Sequence, residues 1–311
     1  MTSHTINRNG NSKTLGKRIL DHRDLYLLIL PAFIITVIFK YVPLYGIQLA
    51  FKNMKLGQTI TTAKWIGLDN FQRFFSTGAF SRTLVNTLMV GILNLLTFPL
   101  PIILALLLNN CEVKFIKKSV QTITYIPNLI SVAVTMSIVI LFCSNSTGFI
   151  NILFKNLGIE SIPFMSKDKF VRPMYIISGI WSATGYNAVI YLAALSSVNP
   201  ELIDAAKIDG CSKLQRIWYV EVPKIAPTIA ILLIMSMGSF FSASTEKMLM
   251  IQTDLNLGAS EIIGTYTYKI GILKRQYGYS AAVDLFTNVV NFTMLILANF
   301  ISKKVSDSSL F

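Results

Sequence analysis

Charge, cysteine and histidine are all scarce in this chain of 311 residues, and each scarcity argues against a class of protein. Only 14% of the residues are charged, against roughly 25% in ordinary globular domains. The three cysteines, Cys111, Cys143 and Cys211, show no CxxC spacing, and the two histidines, His4 and His22, lie in the polar N-terminal arm. A disulfide framework and a Cys/His zinc site are therefore disfavoured, and we expect no metal site.

The charge that is present is basic, and it lies between long apolar runs. There are 28 Lys and Arg against 15 Asp and Glu, a formal net charge of +13, while 53% of the residues are hydrophobic. Nucleic-acid-binding proteins gather basic charge on a polar surface instead. The sequence therefore predicts an all-α integral membrane protein, with the lipid bilayer as its surroundings and no nucleic-acid partner.

Several windows are apolar over about 20 residues, the length that crosses the hydrocarbon core. They cover residues 25–44, 84–108, 120–142, 174–195, 225–243 and 281–301. The fourth and sixth contain serine and asparagine, and polar residues inside a span usually face other helices or water. We expect a polytopic bundle of about six transmembrane helices over residues 25–305, preceded by a cytoplasmic arm, 1–24, and followed by a tail, 306–311.

The orientation of the spans is predicted from the basic residues in the loops. Cytoplasmic termini place 14 of the 28 Lys and Arg residues inside, so the raw count does not decide. The density of basic residues favours a cytoplasmic N-terminus, because the loop 109–119 is short and basic and basic residues precede the first span. We therefore expect both termini in the cytoplasm.

The loop between the fourth and fifth windows contains residues that favour the beginning and the end of short helices. Asn199 is suited to cap a helix that starts at Pro200, and Gly210 is suited to end it in the left-handed conformation. Ser212 and Gln215 then form a capping-box pattern, which predicts a second short helix ending before Pro223. Taken alone, these signals also fit an amphipathic loop that lies on the membrane or caps its own bundle.

The same loop resembles the EAA loop of ABC-importer permeases, which carries the coupling helix that docks on an ATPase subunit. Asp204-Ala205-Ala206, three further residues, Gly210 and then Pro223 follow that pattern, although Asp204 stands for the customary Glu and Cys211 for Ala. The resemblance implies a cytoplasmic loop, 199–223. It also implies these ATPase-coupling residues: Glu201, Asp204, Ala205, Ala206, Asp209, Gly210 and Pro223.

Shorter fragments extend the resemblance to the carbohydrate-importer permeases, which are maltose-permease-like and of the LplB type. They occur in order over residues 25–305. The clearest are Leu30-Pro31-Ala32-Phe33, Tyr41-Val42-Pro43-Leu44-Tyr45-Gly46, Trp65-Ile66-Gly67-Leu68-Asp69-Asn70-Phe71, Tyr125-Ile126-Pro127 and Tyr279-Ser280-Ala281-Ala282.

The resemblance implies a multi-pass permease of the bacterial plasma membrane that forms half of a pore. It also implies import of oligosaccharides or polysaccharide fragments by ATP-driven alternating access. The implied partners are a second, related permease, two ATPase subunits and an extracytoplasmic solute-binding lipoprotein. The chain itself is then no enzyme and holds no cofactor, since ATP and Mg²⁺ bind the ATPase.

Two other kinds of membrane protein stay open as alternatives. The chain has no G-x-x-x-x-G-K-[ST] phosphate loop and neither H-E-x-x-H nor G-x-S-x-G, so ATPase and hydrolase signatures are missing. A secondary transporter more often buries several ionisable groups at mid-membrane and shows inverted repeats, which are not evident here. A non-transporting membrane subunit predicts that no solute-filled cavity exists.

A sugar path needs hydrogen-bonding groups and aromatic faces along the inside of the bundle. Polar residues at helical spacing on the second, fourth, fifth and sixth windows are candidates, although such residues also commonly bind neighbouring helices. The candidate path residues are Asn94, Tyr186, Asn187, Ser239, Phe240, Glu246, Asn288 and Asn291.

Overall fold

The computed structural model describes residues 23–55 and 57–306. Most of the predicted arm 1–24, with both histidines, and most of the tail 306–311 lie outside the described residues. Contacts between residues divide the chain into two units, 1–48 and 49–311.

The described residues of the first unit belong to an apolar helical segment that ends at Phe51. Helix α1 (Arg23–Thr36) continues into a π-helical turn (Val37–Tyr41) and a 3-10 helix (Val42–Phe51). The whole segment, Arg23–Phe51, is long and apolar enough to cross a membrane. Its large apolar side chains are exposed, as at Leu28 and Phe39, and a bilayer provides the apolar surroundings that they need.

The second unit opens with a short antiparallel pair of strands, β1 (Lys52–Asn53) and β2 (Lys64–Trp65). Its helices follow in this order: α2 (Asp69–Ser76), α3 (Gly78–Thr97), α4 (Pro99–Asn109), α5 (Lys114–Tyr125), α6 (Val132–Phe142), α7 (Phe149–Asn156), α8 (Asp168–Leu195), α9 (Pro200–Ile208), α10 (Lys213–Arg216), α11 (Val222–Met237), α12 (Thr245–Ile251), α13 (Leu257–Ser260), α14 (Ile263–Tyr268) and α15 (Tyr277–Ser306). Short 3-10 turns cover Ile126–Leu129 and Phe164–Ser166, and π-helical turns cover Ile217–Glu221 and Lys269–Leu273.

The third predicted window, 120–142, is not one straight helix but contains a sharp bend. The segments Lys114–Leu129 and Val132–Phe142 meet at an angle of 102°. Pro127 lies in the 3-10 turn that ends the first segment, and Ser131 has extended backbone and caps the second by accepting a hydrogen bond from the Val134 N–H. Average hydropathy does not detect this break, because it contains no information on the direction of the backbone.

Within the described residues, four helical segments are long and apolar enough to cross a membrane, or five if the bent pair is one span. Helix α8 is more polar, but its 28 residues extend about 42 Å at 1.5 Å per residue, which exceeds a hydrocarbon core of about 30 Å. Each predicted window thus contains helix, while the number of six spans stays a prediction.

The core of the second unit lies between the long helices. Helices α4, α8 and α11 pack through Ala105, Ala188, Tyr191 and Ile225. A second cluster surrounds Phe74, which is fully buried against several aromatic rings. Small residues in the first cluster allow the helix backbones to approach closely, as is usual between helices in membranes.

Candidate functional site: the 199–223 loop and an interhelical cavity

Helix α9 begins and ends as the sequence predicts. The Asn199 side chain accepts a hydrogen bond from the Glu201 N–H at 3.0 Å. At the other end, Gly210 has φ +77° and donates to the Lys207 carbonyl, while the Cys211 N–H donates to the Ala206 carbonyl. These two bonds form a Schellman motif, which satisfies carbonyl groups that a helix end otherwise leaves unpaired.

The capping box at Ser212 and Gln215 is also present, but the helix that it starts does not end before Pro223. The helical segment runs without interruption from Lys213 to Met237. The reason is the π-helical turn Ile217–Glu221, in which the Val222 N–H donates to the Ile217 carbonyl. Pro223 then falls in the first turn of α11, where its missing N–H is tolerated.

Most of the predicted coupling residues are exposed, and they lie on α9, just after it or, for Pro223, at the start of α11. Glu201, Asp204, Ala205, Asp209, Gly210 and Pro223 are exposed, whereas Ala206 is buried. Asp204 is held by an ion pair with Lys207 at 2.9 Å. Apolar side chains beside them are also exposed, with Ile208 at 87% and Leu214 at 78%. Grouped apolar side chains on an otherwise polar loop are typical of a contact surface.

A buried polar cluster that the sequence reasoning missed connects this loop to helix α4. Glu221 is only 1% exposed, and it accepts hydrogen bonds from the Asn110 side chain at 2.8 Å and 3.1 Å. The Arg216 guanidinium lies 3.5 Å from Glu221 and also donates to the Asn110 side chain. The sequence does contain a signal for this cluster, namely the carboxylate of Glu221 just before an apolar helix. Ionisable residues beside membrane-spanning segments usually have a structural or functional role.

A second, exposed contact joins the same two regions. Lys213 donates to Glu112 at 2.6 Å, and this hydrogen bond together with the lysine charge lowers the pKa of Glu112. Helices α10 and α11 are therefore attached to the α4–α5 connection both inside and at the surface. Contacts from α10 and from the start of α11 thus reach the end of α4 and the connection that follows it.

A cavity of about 370 Å³ lies between α3, α4, α8 and α11. Four of the predicted path residues line it: Asn94, Asn187, Ser239 and Phe240. Ser236, which also follows the predicted polar spacing of the fifth window, lines it as well. So do three polar side chains that were not predicted, Thr97, Thr184 and Ser242. The cavity therefore presents amide and hydroxyl groups together with the aromatic residues Phe98, Tyr191 and Phe240, a lining suited to a polar organic molecule.

The other candidate residues lie elsewhere. Tyr186, Glu246 and Asn288 are exposed and do not line this cavity. Asn291 is buried on α15, where its side chain accepts from the Phe241 N–H at 2.8 Å and donates to Ser242 at 2.9 Å. Its observed contacts are those of a residue that holds the turn after α11.

The predicted common face of the fifth span does not extend past residue 237. Helix α11 ends at Met237, so Ser239 lies in the following turn and Glu246 lies on the separate helix α12. Asn291 and Ser244 provide hydrogen-bond partners for this turn and for the start of α12. Backbone groups that are satisfied in this way do not need to continue the helix.

Comparison with known proteins agrees with this architecture. The profile of the family described as "Binding-protein-dependent transport system inner membrane component" matches residues 97–307. Protein LplB of Bacillus subtilis (strain 168) is 39% identical over 288 residues, which cover 92% of this chain and 91% of the relative. The polygalacturonan/rhamnogalacturonan transport system permease protein YteP of the same organism is 37% identical over 300 residues, covering 96% and 94%.

A solved structure has a similar fold along almost the whole chain. It is described as a bacterial ABC transporter involved in the import of the acidic polysaccharide alginate. The matched chain superposes with a TM-score of 0.87 at 34% identity, covering 94% of this chain and 100% of that chain. A second structure of the alginate transporter, in complex with an alginate pentasaccharide-bound periplasmic protein, gives a TM-score of 0.88 over 96% and 100%.

The family profile spans more than half of the chain, and the two relatives are similar over nearly all of it. The chain is therefore a member of the binding-protein-dependent transport system inner membrane component family.

Proposed function

We propose that this chain is the transmembrane permease subunit of an ABC importer that brings oligosaccharides or polysaccharide fragments into a bacterial cell. The observation that carries the proposal is the cavity of about 370 Å³ between the long helices, lined by Asn94, Asn187 and several hydroxyl groups. Sugars offer hydroxyl groups to such a lining, and YteP and the alginate transporter are named for polysaccharide cargo.

The partners of the chain follow from the same assignment. We expect a second, related permease, two ATPase subunits that bind ATP and Mg²⁺, and an extracytoplasmic solute-binding protein. The last of these is supported by the alginate transporter, whose structure was determined with a periplasmic protein. Both termini and the 199–223 loop face the cytoplasm in this proposal, since the loop must reach the ATPase.

The mechanism is alternating access driven from the loop. When the ATPase subunits close on ATP, α9 moves with them. The contacts of Glu221 and Lys213 pass the movement to the ends of α4 and α11, which line the cavity. The cavity then opens outward to take sugar from the binding protein. Each ligand must bind the two states with different affinity for the coupling to work.

An uptake assay tests the function, and cysteine labelling tests the orientation. A strain that lacks the gene is given candidate oligosaccharides with and without the restored chain. ATP-dependent uptake that requires the chain supports the proposal, whereas uptake driven by a proton gradient favours a secondary transporter, and no uptake favours a non-transporting subunit. Labelling of a Lys213→Cys variant from outside intact cells would overturn the orientation and the docking role of the loop.

A further inference from the structure

Lys247 on helix α12 is a buried cation without a carboxylate partner. The residue is 9% exposed. Its ammonium lies 4.3 Å from the ring centroid of Tyr175, and within the part of the chain that the structure describes it forms no ion pair with Asp or Glu. A buried charge is costly unless an opposite charge or hydrogen bonds compensate it, and one aromatic face compensates it only in part.

The ammonium borders one cavity and lies near a residue that lines a second, larger one. Lys247 lines a smaller cavity of about 110 Å³ together with Asn128, Thr135 and Ser182. It also lies against Gly179, where a Cβ atom would come within 3.1 Å of Nζ, and Gly179 lines the larger cavity of the proposed sugar path. Because Gly179 has no side chain, no side chain at this position separates the ammonium from the larger cavity.

A second polar group of the smaller cavity also lacks a partner. The Thr135 hydroxyl is buried and has no hydrogen-bond partner among the described residues. Asn128 lines the same cavity and adds an amide. A hydroxyl and an amide can both donate to an oxygen anion, and a single ammonium matches a single negative charge.

We infer that Lys247, with Thr135 and Asn128 beside it, binds the carboxylate of a uronic-acid unit as the sugar passes through the permease. This inference rests on the proposed function and names the substrate class, which is acidic oligosaccharides. An ammonium in a water-poor site attracts a carboxylate more strongly than it attracts a hydroxyl group, because charge–charge attraction rises as the dielectric constant falls. Lys247 thereby selects acidic over neutral cargo.

The experiment compares acidic sugars with their neutral esters in the complete transporter. The chain is reconstituted in proteoliposomes with its partner permease, its ATPase and its binding protein. The probes are trigalacturonate and trimannuronate, each alongside its methyl ester, which removes the charge and keeps the sugar. Every variant uses the same binding protein, so a change in the ratio of acid to ester uptake arises in the permease.

Lys247→Met is expected to lower uptake of the acidic probe by roughly 30-fold while ester uptake changes little, as for loss of a buried charge partner. Lys247→Arg should retain most of the uptake, because it keeps the charge. Thr135→Val should lower acid uptake by roughly threefold or more. Lys169→Met is the matched control, since Lys169 lies over the Phe170 ring at 4.9 Å but is exposed and lines neither cavity.

The possible results separate the inference from the proposed function. Equal losses of acid and ester uptake in Lys247→Met, or no loss at all, would overturn the carboxylate site. Uptake of esters but not acids by the unaltered transporter overturns it too and leaves the importer intact. Uptake of no oligosaccharide contradicts the proposed function itself. Membrane abundance of each variant is measured in parallel. If Lys247→Met is depleted from the membrane, the acid and ester uptake of Thr135→Val and Lys247→Arg tests the carboxylate site instead.

Discussion

The side-chain nitrogen of Asn110 lies 2.8 Å from one carboxylate oxygen of Glu221 and 3.1 Å from the other, deep between α4 and the start of α11. This relationship connects the end of one cavity-lining helix to the beginning of another. The carboxylate of Glu221 is also shielded from solvent, since the residue is only 1% exposed. Its removal should therefore affect both stability and coupling.

Glu221→Ala leaves the Arg216 guanidinium and the Asn110 amide without their buried acceptor. Breaking a buried pair by removing one partner costs about 3–5 kcal/mol, so we expect a clear fall in the melting temperature of the purified complex. Glu112→Ala removes the exposed pair with Lys213 instead and should leave the melting temperature nearly unchanged. Equal effects of the two changes would contradict the role assigned to the buried cluster.

Gly210→Val should disturb the coupling loop through the backbone alone. A Cβ atom at this position meets no other atom within 4 Å, but φ is +77°, a conformation that costs roughly 1–2 kcal/mol for a residue with a side chain. Gly210→Asn is the control, since asparagine tolerates this conformation best after glycine. We expect sugar-stimulated ATP hydrolysis and ATPase pull-down to fall for valine and to be largely retained for asparagine.

Gly91→Ala should narrow the larger cavity. The added methyl group would lie 2.7 Å from the Phe240 carbonyl oxygen and 3.1 Å from its ring, so the turn that carries Phe240 has to move. Overpacking of this kind costs about 1–3 kcal/mol. Gly78→Ala, on the same helix, meets nothing within 4 Å and should behave like the unaltered protein. The uptake rates of the two variants are compared at matched membrane abundance. Unchanged uptake in Gly91→Ala would argue against a sugar path beside Phe240.

Asn187 and Asn291 should respond differently to replacement by leucine. Asn187 lines the cavity, so Asn187→Leu is expected to impair oligosaccharide uptake while the complex stays assembled. Asn291 accepts a hydrogen bond from the Phe241 N–H and donates one to the Ser242 hydroxyl. Asn291→Leu therefore leaves a buried donor unpaired at a cost of about 1–3 kcal/mol, and it should lower membrane abundance. Quantitative immunoblots and uptake assays on the same membranes separate the two effects. Normal abundance with impaired uptake in Asn291→Leu would place that residue in the path after all.

The local features of the coupling loop were predictable because they depend on neighbouring residues only. Asn199, Gly210, Ser212 and Gln215 act on their own backbone or on groups within a few residues. The position of Pro223 was not predictable in the same way. A π-helical turn directly precedes Pro223 and lets the helical segment continue through it. A pattern of capping residues contains no information about that turn.

The sequence by itself determined that this is an apolar helical membrane protein with a capped helix in the 199–223 loop, because hydropathy and capping are properties of contiguous residues. Tertiary structure alone decided which polar groups meet. It placed Asn94 and Asn187 at a cavity but assigned Asn291 to a neighbouring turn, and it brought Glu221 to Asn110 and Lys247 to Tyr175. Helical periodicity gives the direction of a side chain on its own helix, whereas its surroundings depend on how distant helices pack and where each of them bends or ends.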